Sequence, residues 1–300
     1  MSKIIPFSAL LPRPELAQRI ISPPYDVISS DEARDFVAGN PYSLLHITKA
    51  EVDFPPEVSE YDDRVYERAR KNFFHFVNEG WLIRDHESVY IYRIEYRGHV
   101  QTGVVCAIST DEYDNGLIKR HEKTKKEKED DRTRFAYAIS AHAEPVFMVF
   151  RSAEELKNLI AQSTTDRPLY DLTDHAGVRH ILWRARSTSD IVCAFRTLDC
   201  IYIADGHHRS ACSSRVREMK RRENPGHTGA ELYNYFPAVV FPHDEVRIYR
   251  YSWDGDPGKR PLADVTISDV MKLADSGGIM PPKSTWFAPK LTSGLFVYTF

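Results

Sequence analysis

Asp205-Gly206-His207-His208-Arg209 puts a carboxylate, two imidazoles and a guanidinium into five consecutive residues. The apolar run Ile201-Tyr202-Ile203-Ala204 precedes it and a polar, helical stretch follows. The segment therefore reads as a strand that stops at Asp205, turns at Gly206 and opens a helix near His207. Such a unit aims unpaired backbone N–H groups and the positive end of a helix dipole at one point. Gly206 permits a left-handed turn and close approach of the backbone to an anion. Arg209 can grip phosphate oxygens in pairs, and His207 or His208 can donate a hydrogen bond or carry a proton. Asp205 could hold Mg²⁺ or orient an imidazole. The chemistry this set suits is phosphoryl transfer. Zinc suits it less, because adjacent histidines point apart and no third ligand is in view. The plain alternative is a surface turn with satisfied imidazoles.

Three further clusters carry chemical side chains. In Lys119-Arg120-His121-Glu122-Lys123-Thr124, Thr124 and Glu127 fit a capping box that would start a helix. That leaves Arg120, His121 and Glu122 in a loop able to face a ligand; a solvated, salt-bridged helix explains the rest of the run. Pro282-Lys283-Ser284-Thr285, after Gly277-Gly278, offers a lysine and two hydroxyls as a second grip on phosphate or carboxylate. Ser22-Pro23-Pro24-Tyr25-Asp26-Val27 fixes an acid beside rigid prolines, with Glu15 upstream, so either Asp26 or Glu15 could act as general base. The competing reading makes Asp26 the cap of a helix over 28–36.

The elements that must position these groups are mixed α/β, without repeats. Helical periodicity over 61–80 places Val65, Ala69, Phe73, Phe76 and Val77 on one face. Segments 89–96 and 103–109 alternate as strands joined around Gly98, and 119–134 reads as a charged helix. A strand over 145–150, a short helix over 156–160, the strand ending at Asp205 and a helix to about 222 follow. Strands over 236–241, 246–253 and 295–300 complete the chain. No clean linker divides it, so a single catalytic unit of two lobes, 1–150 and 151–300, is expected. A chain of 300 residues with 42% hydrophobic residues can bury a large core. Its net charge of −3 argues against a general nucleic-acid binder. No run reaches membrane-spanning length, the first residues are too weak for a secretory signal, and the cysteines Cys106, Cys193, Cys200 and Cys212 show no metal spacing. These features fit a cytoplasmic protein with reduced, mostly buried thiols.

Five motifs then carry a resemblance. They are Ser22-Pro23-Pro24-Tyr25-Asp26-Val27, Asn40-Pro41-Tyr42-Ser43-Leu44-Leu45-His46-Ile47-Thr48, Ile118-Lys119-Arg120-His121-Glu122-Lys123-Thr124, Ala204-Asp205-Gly206-His207-His208-Arg209 and Met280-Pro281-Pro282-Lys283-Ser284-Thr285. In this order they resemble the domain-of-unknown-function family 1015, related to the ParB/sulfiredoxin superfamily, across essentially the whole chain. The Asp-Gly-His-His-Arg turn and the late Pro-Lys-Ser-Thr are also similar to those of free serine kinases in that superfamily.

The resemblance implies a ParB/sulfiredoxin-like mixed-sheet core with additional N-terminal elements. It implies Mg²⁺-dependent phosphorylation of free L-serine to O-phospho-L-serine, a product that would serve cysteine biosynthesis. Gly206, His207, His208 and Arg209, with Arg120 and His121, would bind the donor phosphates, and Asp205 would support the metal or the transfer. His208 would also assist the chemistry, while Lys283, Ser284, Thr285 and Glu122 would contact the substrate. The catalytic glutamate of those kinases has no counterpart in position, which leaves Asp26 and Glu15 as base candidates. No Walker-type loop or adenine pocket is evident, and the short chain favours pyrophosphate slightly over ATP or ADP. The expected partners are small molecules, not nucleic acid or membrane, with a homo-oligomer left open. A ParB-like nucleotide-binding regulator or DNA-associated protein is the alternative; it would carry a helix-turn-helix downstream, where strands are expected instead. A sulfiredoxin-like reductase would need a cysteine where His207 stands. A phosphate-ligand sensor would bind without turnover.

Overall fold

A computed structural model describes residues 2–249, 265–282 and 284–300, so Lys283 and the end of the strand expected over 246–253 lie outside the described residues. Nine strands make one mixed sheet. They are β1 (Ile4–Ile5), β2 (Tyr90–Tyr96), β3 (His99–Ser109), β4 (Ile118–Lys119), β5 (Val146–Phe150), β6 (Tyr170–Thr173), β7 (Arg179–Arg184), β8 (Ile201–Asp205) and β9 (Tyr235–Pro242). Their order is β4-β8-β5-β9-β3-β2-β7-β6, with β1 also pairing with β3. The pairs β4–β8 and β5–β9 are parallel and the others antiparallel. Strands from both halves of the chain thus interleave.

The central strands are buried on both faces, which explains their nearly continuous apolar sequence. Tyr202 and Ala204 of β8 enter one core with Val105 and Ala107 of β3. Ile201 and Ile203 enter the opposite core with Val104, Cys106 and Ile108. The β2–β3 hairpin turns at Arg97 and Gly98, both at positive φ (48° and 75°), the geometry whose twist matches paired strands.

Seven helices matter below: α1 (Ser30–Val37), α2 (Asp63–Asn78), α3 (Lys126–Ile139), α4 (Glu154–Ser163), α5 (Thr188–Phe195), α6 (His207–Glu223) and α7 (Ile267–Asp275). Leu156 and Ile160 of α4, with Ile191 and Phe195 of α5, close the second core. The predicted face of α2 packs Val65, Ala69, Phe73 and Phe76 with Phe135 and Ile139 of α3.

Some expectations require correction. The charged helix begins at Lys126, not near Lys119, because Ile118–Lys119 pairs with β8. Thr124 does not cap it: Lys125 occupies the cap position, and the Thr124 hydroxyl instead reaches Glu129. The strand over 295–300 shortens to Tyr298–Thr299, paired with Ala141–His142. Of the strand expected over 246–253, Val246 and Arg247 are not in strand, Ile248–Tyr249 is, paired with Trp286–Phe287, and the rest lies outside the described residues. The β6–β7 hairpin, α5 and α7 were not foreseen. Cys106 and Cys212 are buried, whereas Cys200 is half-buried and Cys193 exposed. Among the described residues no helix is long and apolar enough to cross a membrane.

Candidate functional site

β8 ends at Asp205 as expected, and Gly206 (φ 99°, ψ 27°) forms the left-handed cap from which α6 begins. A Cβ at Gly206 would lie 3.2 Å from Arg209 Nε and 3.3 Å from Val146 Cγ1, so both conformation and space call for glycine. The reason is Arg209 itself, which folds back beneath the turn. Its guanidinium donates to the Pro145 carbonyl and, at 3.5 Å, to Asp205 Oδ2, with Asp26 Oδ2 3.8 Å away. Arg209 therefore pins the start of β5 to the end of β8 rather than holding its fork open for a ligand. Lys290 Nζ donates to Asp205 Oδ2 at 3.0 Å, and its ammonium lies 4.2 Å from the centre of the Trp286 ring. Burial alone would raise the Asp205 carboxyl, but Lys290 and Arg209 outweigh it and hold the group well below the usual carboxylate range.

The two histidines divide their work. His207 is buried; its Nε2 accepts the His121 backbone N–H at 3.5 Å, and the two rings meet edge-on with centroids 4.6 Å apart. His121 Nε2 in turn meets Thr285 Oγ1 at 3.1 Å. Burial, reinforced by the neighbouring imidazole, drives His207 well below its ordinary value, and burial pushes His121 down to about 4. Both rings are neutral at pH 7. His208 accepts the Lys125 backbone N–H at Nε2 (2.9 Å), so in its neutral form the ring proton sits on Nδ1. That bond uses the N–H a capping Thr124 would have left for the helix start. Burial lowers His208 too.

Two sequence clusters turn out to be one scaffold. The His121 carbonyl accepts the Met280 N–H at 2.6 Å, and the Met280 carbonyl accepts the Lys123 N–H at 3.0 Å. Glu122 Oε2 accepts the Ser284 N–H at 3.1 Å, while Ser284 Oγ donates to the Pro281 carbonyl at 2.6 Å. Glu122 and Thr285 reach the site cavity; His121 and Ser284 stand behind them. Arg120 is exposed, with its guanidinium 5.7 Å from the centre of the Tyr113 ring, and is not on the cavity wall. Glu15 is exposed and paired with Arg13 at 3.6 Å, also off that wall.

Asp26 does line the cavity. The helix expected to be capped by Asp26 is capped instead by Ser29, in a complete capping box with Glu32. The Pro23-Pro24 turn is held from beneath: Tyr25 N–H and Ser293 Oγ donate to Glu144 Oε1 at 3.0 and 2.7 Å, and Arg132 lies 4.0 Å from the Tyr25 ring centre. The cavity, about 350 Å³, takes in Asp26, Glu122, Thr285 and the 205–209 turn. It also takes in Lys49, Glu60, Lys128, Trp286 and Lys290, none of them singled out from the sequence. Lys49 directly follows the Asn40–Thr48 motif, and that adjacency was the available signal; Lys290 lies five residues beyond the Met280–Thr285 motif.

Among the described residues no group of three or more His, Cys, Asp or Glu side chains could by itself hold a metal ion. A hard cation needs less, since Mg²⁺ is commonly held by one or two carboxylates with phosphate and water oxygens. Both pairings of Asp205 use Oδ2, which leaves Oδ1 for a cation, so the residues fit. The formal charges on the wall also cancel, with Asp26, Glu60, Glu122 and Asp205 against Lys49, Lys128, Arg209 and Lys290. A polyanion entering here would need positive charge of its own.

The chain matches, over residues 4–252, the model of a family described as a protein of unknown function, DUF1015. The matched region contains Asp26 and the 205–209 turn and stops short of Thr285 and Lys290. No curated protein and no solved structure matches the chain significantly.

Proposed function

Taking as premise that the chain belongs to the DUF1015 family, whose function is unknown, we propose that it is a phosphotransferase converting free L-serine to O-phospho-L-serine. The observation that carries this reading is the meeting of Asp26, Asp205 and Lys290 around the Gly206 turn, at the N-terminus of a long helix. Phosphoryl transfer asks for positioned cations, helix-end N–H groups and a carboxylate for the acceptor proton, more than for a covalent group. In this reading Asp26 accepts the proton of the serine hydroxyl as its oxygen bonds to the terminal phosphorus. The bridging P–O bond breaks and its electron pair leaves with the remaining phosphate. Lys290 and the N–H groups at the start of α6 bind donor oxygens. Arg209 keeps Asp205 and the turn in register, and His208 supplies a neutral imidazole at the wall. Asp205 would hold Mg²⁺, which when bound supplies neutralisation of the phosphate charge.

A small cavity and the lack of a glycine-rich nucleotide loop favour pyrophosphate as donor over ATP or ADP. The half-buried and exposed thiols of Cys200 and Cys193 suit the reducing cytoplasm. No nucleic-acid or membrane partner enters the reaction. Phosphorus NMR of the protein with L-serine, Mg²⁺ and, in separate tubes, pyrophosphate, ATP or ADP tests the proposal. An O-phosphoserine resonance in one tube supports it and names the donor. Donor binding without product in every tube overturns it in favour of a ligand sensor.

A further inference from the structure

The cavity that takes in the Gly206 turn also has a charged cluster that the chemistry at Asp205 does not use. Lys49 is only 6% exposed, and its Nζ lies 2.9 Å from Glu51 Oε1 and 3.9 Å from Glu60 Oε2. Glu60 Oε1 meets Lys128 Nζ at 3.2 Å, and Lys128 donates to the Tyr61 hydroxyl at 2.6 Å. Ser30 Oγ donates to Glu51 Oε1 at 2.8 Å. Burial favours the neutral acid at Glu60, yet the Tyr61 and Lys128 contacts outweigh it and keep the carboxylate ionised. Of Lys49, Glu60 and Lys128 only Lys49 is deeply buried; Glu60 and Lys128 are half-buried and, with Lys49, face the cavity. Charges of both signs thus stand side by side on the wall of a cavity of about 350 Å³, an arrangement suited to a ligand that carries both.

We propose that Lys49, Lys128 and Glu60 form the head-group subsite for a free α-amino acid. Lys49 and Lys128 take the α-carboxylate and Glu60 takes the α-ammonium. Alternating charges 3–4 Å apart match a zwitterion. A phosphate group would be repelled by Glu60, and a neutral alcohol would draw on none of these charges. A serine within a peptide chain carries neither charge, so the subsite selects the free amino acid over a protein side chain. Placing the head group here directs the side-chain hydroxyl toward Asp26 and Asp205, and only that step rests on the phosphotransferase reading.

Isothermal titration of the full chain with L-serine, N-acetyl-L-serine and L-serinamide, with and without pyrophosphate and Mg²⁺, tests the subsite. L-serine is expected to bind, with both blocked analogues at least tenfold weaker. Glu60→Gln is expected to shrink the discrimination against N-acetyl-L-serine, and Lys49→Met that against L-serinamide. Equal affinity for the three ligands, or no L-serine binding under either condition, overturns the proposal without recourse to the variants. Phosphorylation of N-acetyl-L-serine as fast as L-serine overturns the subsite and leaves the phosphotransferase standing. Selective L-serine binding without phosphorylation supports the subsite and overturns the phosphotransferase.

Discussion

Two side chains at the turn can be changed so that charge and shape come apart. Lys290→Met keeps an aliphatic stem beside Trp286 and removes the ammonium from Asp205. Donor affinity, measured by titration, is expected to fall about tenfold or more, equivalent to about 1.4 kcal/mol; unchanged affinity would take Lys290 out of the donor site. Asp26→Asn is expected to lower kcat by roughly 10²–10⁴ with donor affinity nearly intact, the mark of a lost general base. The matched control is Glu15→Gln, which sits off the cavity and should be silent. At this scale the sequence revealed types better than roles. The glycine turn was legible because an apolar strand, a glycine and a helix are all local signals. Arg209 was not, because its partner is the Pro145 carbonyl, 64 positions away, and nothing local says that the guanidinium folds inward. Lys290 was hidden for the same reason, its contact with Asp205 spanning 85 positions.

Among the elements, α1 shows how a cap controls a site. Ser29 caps the helix and also lines the cavity beside Asp26. Ser29→Ala is expected to cost about 1 kcal/mol of stability. Thermal unfolding measures that loss, and KM for the acceptor should rise with it as the 25–30 segment loosens; a variant with wild-type Tm would show that the capping box does not matter. A long periodic element such as α2 was readable since burial imposes the pattern along its length. The β6–β7 hairpin escaped because Tyr170–Thr173 and Arg179–Arg184 lie at a sheet edge, where only β7 is well buried. Helix α7 carries a local signal of its own, the Thr266–Asp269 capping box. The bond between the 121–123 and 280–284 segments has no local signature at all, which is why two halves of one scaffold looked like independent ligand contacts.

Over the whole molecule, stability should be acid-sensitive well above the carboxylate range. Burial holds His121 down to about 4 and His142 down to about 3, and His207, buried beside His121, sits well below the ordinary 6.5. Each is neutral in the folded chain and takes up a proton in the unfolded chain below about 6.5, so the stabilisation they represent is present above that value. It is lost as pH falls, at about 1.4 kcal/mol per pH unit for each histidine still neutral. Urea unfolding followed from pH 7 to 4.5 is expected to show a stability that drops with acidification, the slope steepening as the unfolded chain binds protons that the buried rings do not. A flat profile would mean that these rings are protonated in the folded state. His121→Gln should remove about one proton from that slope.

The order in which the chain is made adds a last consequence to the Asp205–Lys290 contact. All nine strands of the main sheet and the Gly206 turn lie upstream of residue 243, while Trp286, Lys290 and Ser293 are translated after them. A nascent chain can thus assemble its sheet while Asp205 still lacks its lysine and Glu144 its serine partner. The turn at Asp205 is therefore completed only once residues 286–293 have been made, and a product terminated before them would keep the strands of the sheet while lacking the lysine at the turn.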